Sequence, residues 1–406
     1  MAKADPAEID PARWRWHALV LTVFVAVFLG RFAWPPLQSE AGADLGLTNA
    51  EAGLFMNAFY LGYLLTQLPG GMLADRFGAK LVLSASLFVS GLATLMIWSI
   101  DTAATGYFWR VLAGLGGGAV YAAGMKATVA GFPREELGRA FGILMIAPTI
   151  GTLIPNQLAP RLSLMLGGWR PTFLALGVGL LLLWLIFLII FPARKSGQTQ
   201  AAGAKPESPL VGLKYVLADR RLRLVCLIGF GLVWSFIGFV SWSNQYLIKE
   251  LGFTKLTAGH IMTGFGLVGL GATVLSGFLS DRVKSTELLL MAFFGVELVG
   301  LAAFPFLTSP VLLAVAAGLV GAGVGACSAL VALLTSAYAG PRWAATAGGA
   351  TGTIFQSSGM ISPFVLGLTV DWRGDYTLVW VLLGLAVIMA VILLGLLMRP
   401  GNREIT

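Results

Sequence analysis

An arginine in the middle of an apolar run is the first residue of this chain whose chemistry needs a partner. Arg31 stands in VFVAVFLGRFAWPPLQSE, 15 residues beyond Trp16, about 22 Å along a helix that rises 1.5 Å per residue. A cation at that depth in a bilayer costs about 2.5 to 3.5 kcal/mol on insertion scales, so it should face a wet cavity and meet an anion. Guanidinium suits a carboxylate because two parallel N–H donors match its two oxygens. Phe24, Phe28, Trp34 and Gln38 share its face at helical spacing, and would give the anion an aromatic wall or simply pack. The competing reading is a structural ion pair, for which the apolar segments offer essentially one acid, Glu297 in FFGVELVGL. Glu297 reads either as a proton carrier or as a protonated structural acid.

Other polar side chains fall inside apolar segments. Arg110 and Tyr121 are eleven residues apart, which leaves them about 20° apart on a helix. Tyr121 could donate to a substrate oxygen or pack. Lys126 lies roughly 160° round from Arg110 and could snorkel to the surface or bind an anion. Trp234, Gly238, Ser241 and Gln245 form one helical stripe beside Asn244, so Trp234, Asn244 and Gln245 are plausible contacts. Gln356, Ser357 and Ser358 form a small polar patch after the glycine run Gly318, Gly321, Gly323 and Gly325, expected as a tight pair of neighbouring helices.

The elements that must position these residues are membrane helices. The 406 residues are 57% hydrophobic and 11% charged, with a mean hydropathy of +0.84, more apolar than a soluble core requires. Spans of roughly 20 apolar residues begin near Trp16, Glu51, Leu81, Thr105, Gly138, Trp169, Leu222, Lys255, Thr286, Pro310, Trp343 and Tyr376. The expected organisation is all-α and integral to the membrane, with twelve helices in two pseudo-symmetric bundles of six. Residues 1–15 read as a tail, 16–192 as the first bundle, 193–214 as a polar linker, 215–398 as the second bundle and 399–406 as a second tail. Lysines and arginines concentrate in the loops on the side of both termini, which predicts cytoplasmic termini in a cell inner membrane. The formal charge of +8 is then a topological signal and not a nucleic-acid surface.

NAFYLGYLLTQLPGGMLADRFGAK, residues 57–80, ends an apolar helix in a charged, glycine-punctuated turn, and MTGFGLVGLGATVLSGFLSDRVK, residues 262–284, repeats it. Gly71, Asp75, Arg76 and Lys80 match Gly277, Asp281, Arg282 and Lys284. A helix-plus-turn present in both halves points to a duplicated bundle. An acid beside a base at a helix end can latch two helices in one conformation and release them in another.

GGMLADRFGAK resembles the loop signature Gly-x-x-x-Asp-Arg-x-Gly-x-Lys of the major facilitator superfamily. The wider stretch, with an arginine in the first helix, is similar to its anion:cation symporter branch, whose members carry sugar acids and other organic anions. Arg110 with Gly114, Gly116, Gly117 and Gly118 resembles the superfamily's fourth-helix motif, which that resemblance associates with coupling. WSNQYL resembles the branch's Trp-x-Pro-x-Tyr-Leu, with Asn244 and Gln245 where proline is usual. Two acids of the branch are replaced here by Gly30 and Gly117, so proton coupling by that route is not expected.

The resulting expectation is a secondary active transporter that moves a small organic anion, a carboxylate, by proton-coupled symport and alternating access. Arg31, Phe28, Tyr121, Lys126, Trp234, Asn244, Gln245 and Gln356 are the expected substrate contacts. Asp75, Arg76, Arg110, Asp281, Arg282 and Glu297 are the expected coupling and gating residues. The alternative is a proton-driven exporter of amphipathic or drug-like compounds, which would want a carboxylate in the cavity. No phosphate-binding loop, catalytic triad or metal-spaced cluster occurs in the sequence, so neither an enzyme nor a cofactor is expected. The partners expected are the anion, protons and the lipid bilayer, around a monomer.

Overall fold

The computed structural model describes residues 12–67, 69–191, 209–283 and 285–399. Most of the expected linker, most of both tails and Lys284 lie outside the described residues.

Among the described residues every regular element is helical. Ten helical segments are long and apolar enough to cross a membrane, and the other two expected spans are each interrupted. One is α3 (Asn49–Gln67) followed by α4 (Gly70–Phe77), the other α6 (Ala103–Gly118) followed by α7 (Val120–Gly131). The first span is α1 (Arg13–Phe32) and α2 (Trp34–Asp44). The break falls just before Pro35 and Pro36, which cannot donate N–H groups to the preceding turn. The remaining helices of the first half are α5 (Ala79–Met96), α8 (Arg134–Leu144), α9 (Ala147–Leu166) and α10 (Trp169–Ile190). The second half holds α11 (Pro209–Ala218), α12 (Arg220–Lys249), α13 (Lys255–Arg282), α14 (Thr286–Ala303), α15 (Pro310–Arg373) and α16 (Thr377–Leu397). α15 comprises two spans that meet at Gly340, whose φ of 69° is a conformation that favours glycine.

The chain divides into two compact units. The first contains the described parts of Met1–Trp34, Ala58–Pro155 and Leu162–Ala204. Its core joins Val23, Phe24 and Val27 of α1 to Leu87 of α5 and to Leu180 and Phe187 of α10. At the start of α1, Arg13 forks onto Glu136 of α8 at 3.0 and 2.9 Å.

The second unit contains Pro35–Asn57, Asn156–Arg161 and the described part of Lys205–Thr406. α12, α13 and α14 all pack on α15. The glycines expected to draw the tenth and eleventh spans together face other neighbours instead. A Cβ on Gly321 would overlap the Phe265 carbonyl of α13, and one on Gly323 would overlap Glu297 of α14. Glycines serve wherever two helix backbones touch, and periodicity within one helix does not name the helix across the gap. Asp371 closes the first turn of α3 within this unit. Its two oxygens accept from the backbone N–H of Asn49 at 2.9 Å, from Asn49 Nδ2 at 2.8 Å and from the N–H of Ala50 at 2.7 Å. A carboxylate at a helix N-terminus satisfies donors that have no partner within the helix.

Candidate functional site

The first unit buries two guanidinium groups, Arg31 at 3% and Arg110 at 2% relative exposure. They are the only buried arginines or lysines among the described residues. Buried charge is tolerated only when hydrogen-bonded or paired, and the two are held differently.

Arg110 donates from Nη1 to the Gly30 carbonyl at 3.2 Å and from Nη2 to the Arg31 carbonyl at 2.9 Å. In an unbroken helix Arg31 O would receive the N–H of residue 35, but that residue is proline. Arg110 supplies the missing donor, so the break in the first span and the fourth-span arginine are two halves of one arrangement. Arg110 thereby fixes the backbone that carries the Arg31 side chain.

Arg31 itself lies in an aromatic cage. Its guanidinium carbon is 4.1 Å from the Tyr60 ring centroid, 4.8 Å from Phe32, 5.3 Å from Tyr63, 5.4 Å from Phe28 and 5.5 Å from Phe59. Cations over ring faces are attracted by the ring quadrupole, by about 2 kcal/mol or more when desolvated. Nη2 donates to the Tyr60 hydroxyl. Nε is buried without a hydrogen-bond partner, and no acid of the first unit is buried among the described residues. The guanidinium therefore keeps an unmet donor and an uncompensated charge.

Glycines on the fourth span bring this cage together. A Cβ on Gly114 would overlap the Phe59 carbonyl, one on Gly118 the Tyr63 carbonyl, and one on Gly62 the Val111 carbonyl. α3 and α6 thus touch backbone to backbone, which sets Phe59, Tyr60 and Tyr63 beside the two arginines. Phe59, Tyr60 and Tyr63 are not among the contacts expected from the sequence. Their signal was the spacing i, i+1, i+4 in FYLGY opposite the glycine run, which only the helix pairing makes meaningful.

The other expected contacts are placed as follows. Phe28 belongs to the cage, as above. Tyr121 is exposed on α7, at 45%. Lys126 donates to the Ala74 carbonyl and pairs with Asp75, both at 2.8 Å. Arg76 is exposed, with its guanidinium carbon 5.2 Å from the Phe77 ring.

In the second unit Trp234 is half-buried, its ring stacked 6.2 Å from that of Phe230. Asn244 donates to Asn156 Oδ1 at 2.9 Å. Gln245 accepts from Gln38 at 2.6 Å and donates to Asn49 Oδ1 at 2.7 Å. Gln356 is half-buried, and Asp281 and Arg282 are exposed at the end of α13. Glu297 is fully buried: Oε1 accepts from Ser235 at 2.5 Å and Oε2 has no partner. Gln38, placed by periodicity on the face of Arg31, belongs to the second unit, which takes in Pro35–Asn57. No group of three or more His, Cys, Asp or Glu side chains suited to a metal ion occurs among the described residues.

The chain is 29% identical over 366 residues to "Probable sulfoacetate transporter SauU" of Cupriavidus necator, a match covering 84% of this chain and 83% of that one. It is 25% identical to "Hexuronate transporter" of Bacillus subtilis, covering 88% of each. A solved bacterial homologue of the human lysosomal transporter Spinster superposes with a TM-score of 0.80 at 15% identity, over 95% of this chain and 96% of that one. The family model described as Major Facilitator Superfamily matches residues 19–363. With the twelve-span helical architecture and the paired loop signatures, this match places the chain in the major facilitator superfamily, as a membrane transporter and not an enzyme.

Proposed function

We propose that this chain is a secondary active transporter of a small organic anion, a carboxylate in the first instance, moved by alternating access with proton coupling. One observation carries the reading. Arg31 is a buried cation with a free Nε donor in a unit that buries no acid among its described residues. An isolated charge in a low-dielectric interior is costly unless something of opposite charge arrives, and a transported anion is the partner that comes and goes. The relatives named for sulfoacetate and hexuronate have anionic cargo and support the same class. The exporter of cationic amphiphiles would need a buried carboxylate near its cargo, and the first unit offers none among the described residues.

Alternating access is the proposed mode of transport, in which one repeat moves against the other. Asp75 and Arg76, with Asp281 and Arg282, are the proposed gating charges at the loop signatures. Their side of the membrane is assigned to the cytoplasm by the excess of lysine and arginine on it. Glu297 is the one buried carboxylate among the described residues and the protein group able to hold a coupled proton. The protein is taken to act as a monomer.

The test is thermal stabilisation of purified protein by carboxylates, sugar acids, sulfonates and cationic amphiphiles, repeated on Arg31→Ala and Arg31→Lys. A ligand that binds only the folded state adds about 2.7 kcal/mol at a hundredfold excess over its dissociation constant. An anion class should stabilise the wild type, and both variants should lose that response, because a point-charge ammonium does not reproduce the guanidinium fork. Stabilisation by cationic amphiphiles alone, alike in all three proteins, replaces this reading with the exporter.

A further inference from the structure

We infer that the transported species bears a single anionic group, so that a sugar acid or sulfonate with one charge is accepted and its counterpart with a second anionic group is rejected. The inference rests on the anion reading above, counts the charges available to meet the cargo, and sets this chain apart from the relative named for sulfoacetate, whose cargo carries two anionic groups.

Two buried guanidiniums occur among the described residues, and one is already spent. Arg110 is turned onto the carbonyls of Gly30 and Arg31, where it serves the helix break and adds field without offering a docking position. Lys126 is engaged by Asp75 and the Ala74 carbonyl. Among the described lysines and arginines Arg31 alone combines burial with an unpartnered donor.

The rest of the sequence supplies no second cation at depth. Between Arg223 and Lys249, from residue 256 to 281, from 286 to 341, from 343 to 372 and from 374 to 398, the membrane segments of the second half contain no lysine or arginine. Lys255 opens α13 and is paired with Glu40 at 2.5 Å. A second carboxylate or sulfonate on the cargo would leave water without a cation to receive it. Stripping hydration from an unpaired anion is the dominant penalty in such a site. The surroundings of Arg31 suit the opposite kind of remainder. Phe28, Phe32 and Phe59 surround the guanidinium with apolar rings and Tyr60 adds a hydroxyl that accepts from Nη2, which fits a neutral, hydroxylated or short aliphatic body.

The experiment uses full-length protein in proteoliposomes, with binding measured by calorimetry on the same preparation. The probes are pairs of nearly equal size that differ in one anionic group: glucuronate with glucarate, isethionate with sulfoacetate, and threonate with tartrate. At least one singly charged member should bind tenfold or more tightly than its doubly charged partner, and the preference should vanish in Arg31→Ala. The dissociation constant should stay level from 50 to 300 mM salt for a buried contact, because buried pairs are screened less than exposed ones. Equal or tighter binding of the doubly charged members, lost in Arg31→Ala, overturns the single-charge inference and leaves the anion reading intact. Failure of every anion to bind, with the wild type shown folded by its melting transition, overturns both.

Discussion

At the scale of single residues, Arg110 holds the backbone of Gly30 and Arg31 while Arg31 presents an unpartnered donor. That one props up the other's backbone depends on Pro35 having removed an N–H opposite Arg110, a contact across 79 residues of chain. Arg110→Met should therefore act through Arg31. Removing charged hydrogen bonds to two buried carbonyls should cost about 1.5 to 3 kcal/mol for each, seen as a lower melting temperature, and the carboxylate response should fall with it. Lys126→Ala is the comparison. It breaks a pair that is partly exposed, worth about 1 kcal/mol or less, and should leave anion affinity within threefold of wild type. Normal stability and affinity in Arg110→Met, with loss of proton dependence alone, would instead assign Arg110 to coupling, the role implied by its motif.

At the scale of elements, the apolar spans and their ends were readable because hydropathy and loop charge are local properties. Helix pairing was not. The run Gly114, Gly116, Gly117 and Gly118 announces a close approach, and the structure shows Gly114 and Gly118 meeting α3 through the Phe59 and Tyr63 carbonyls while Gly116 faces Ser86 and Ser90 of α5. The contact fixes the cage geometry, so disturbing it should move the aromatic rings before it unfolds the bundle. Gly114→Ala places a methyl against the Phe59 carbonyl. Overpacking of this kind typically costs about 1 to 3 kcal/mol, and a displaced Phe59 and Tyr60 should weaken carboxylate binding severalfold. Gly179→Ala in α10, where an added Cβ meets nothing within 4 Å, should change neither quantity. If Gly114→Ala melts and binds like wild type, the α3 and α6 backbones are not held together as described.

At the scale of the whole molecule, the twelve spans and the duplicated signature followed from composition and repetition, whereas the grouping into units did not. α2 and the first turns of α3 cluster with the second half of the sequence, through contacts such as Asn49 with Asp371 that lie 322 residues apart. No pattern of period 3.6 or 7 encodes a contact at that separation. Orientation is the remaining global property, and it rests on charge alone: basic residues crowd the loops on the side of the termini. Membrane-impermeant maleimide can decide it, because the native thiols Cys226 and Cys327 are both buried and should give little background. Asp101, 91% exposed between α5 and α6, and Asp281, exposed at the end of α13, fall on opposite faces in the proposed topology. In intact cells Asp101→Cys should label and Asp281→Cys should label only after permeabilisation. The reverse pattern would put both termini outside, and the loop signatures could then no longer be cytoplasmic gates.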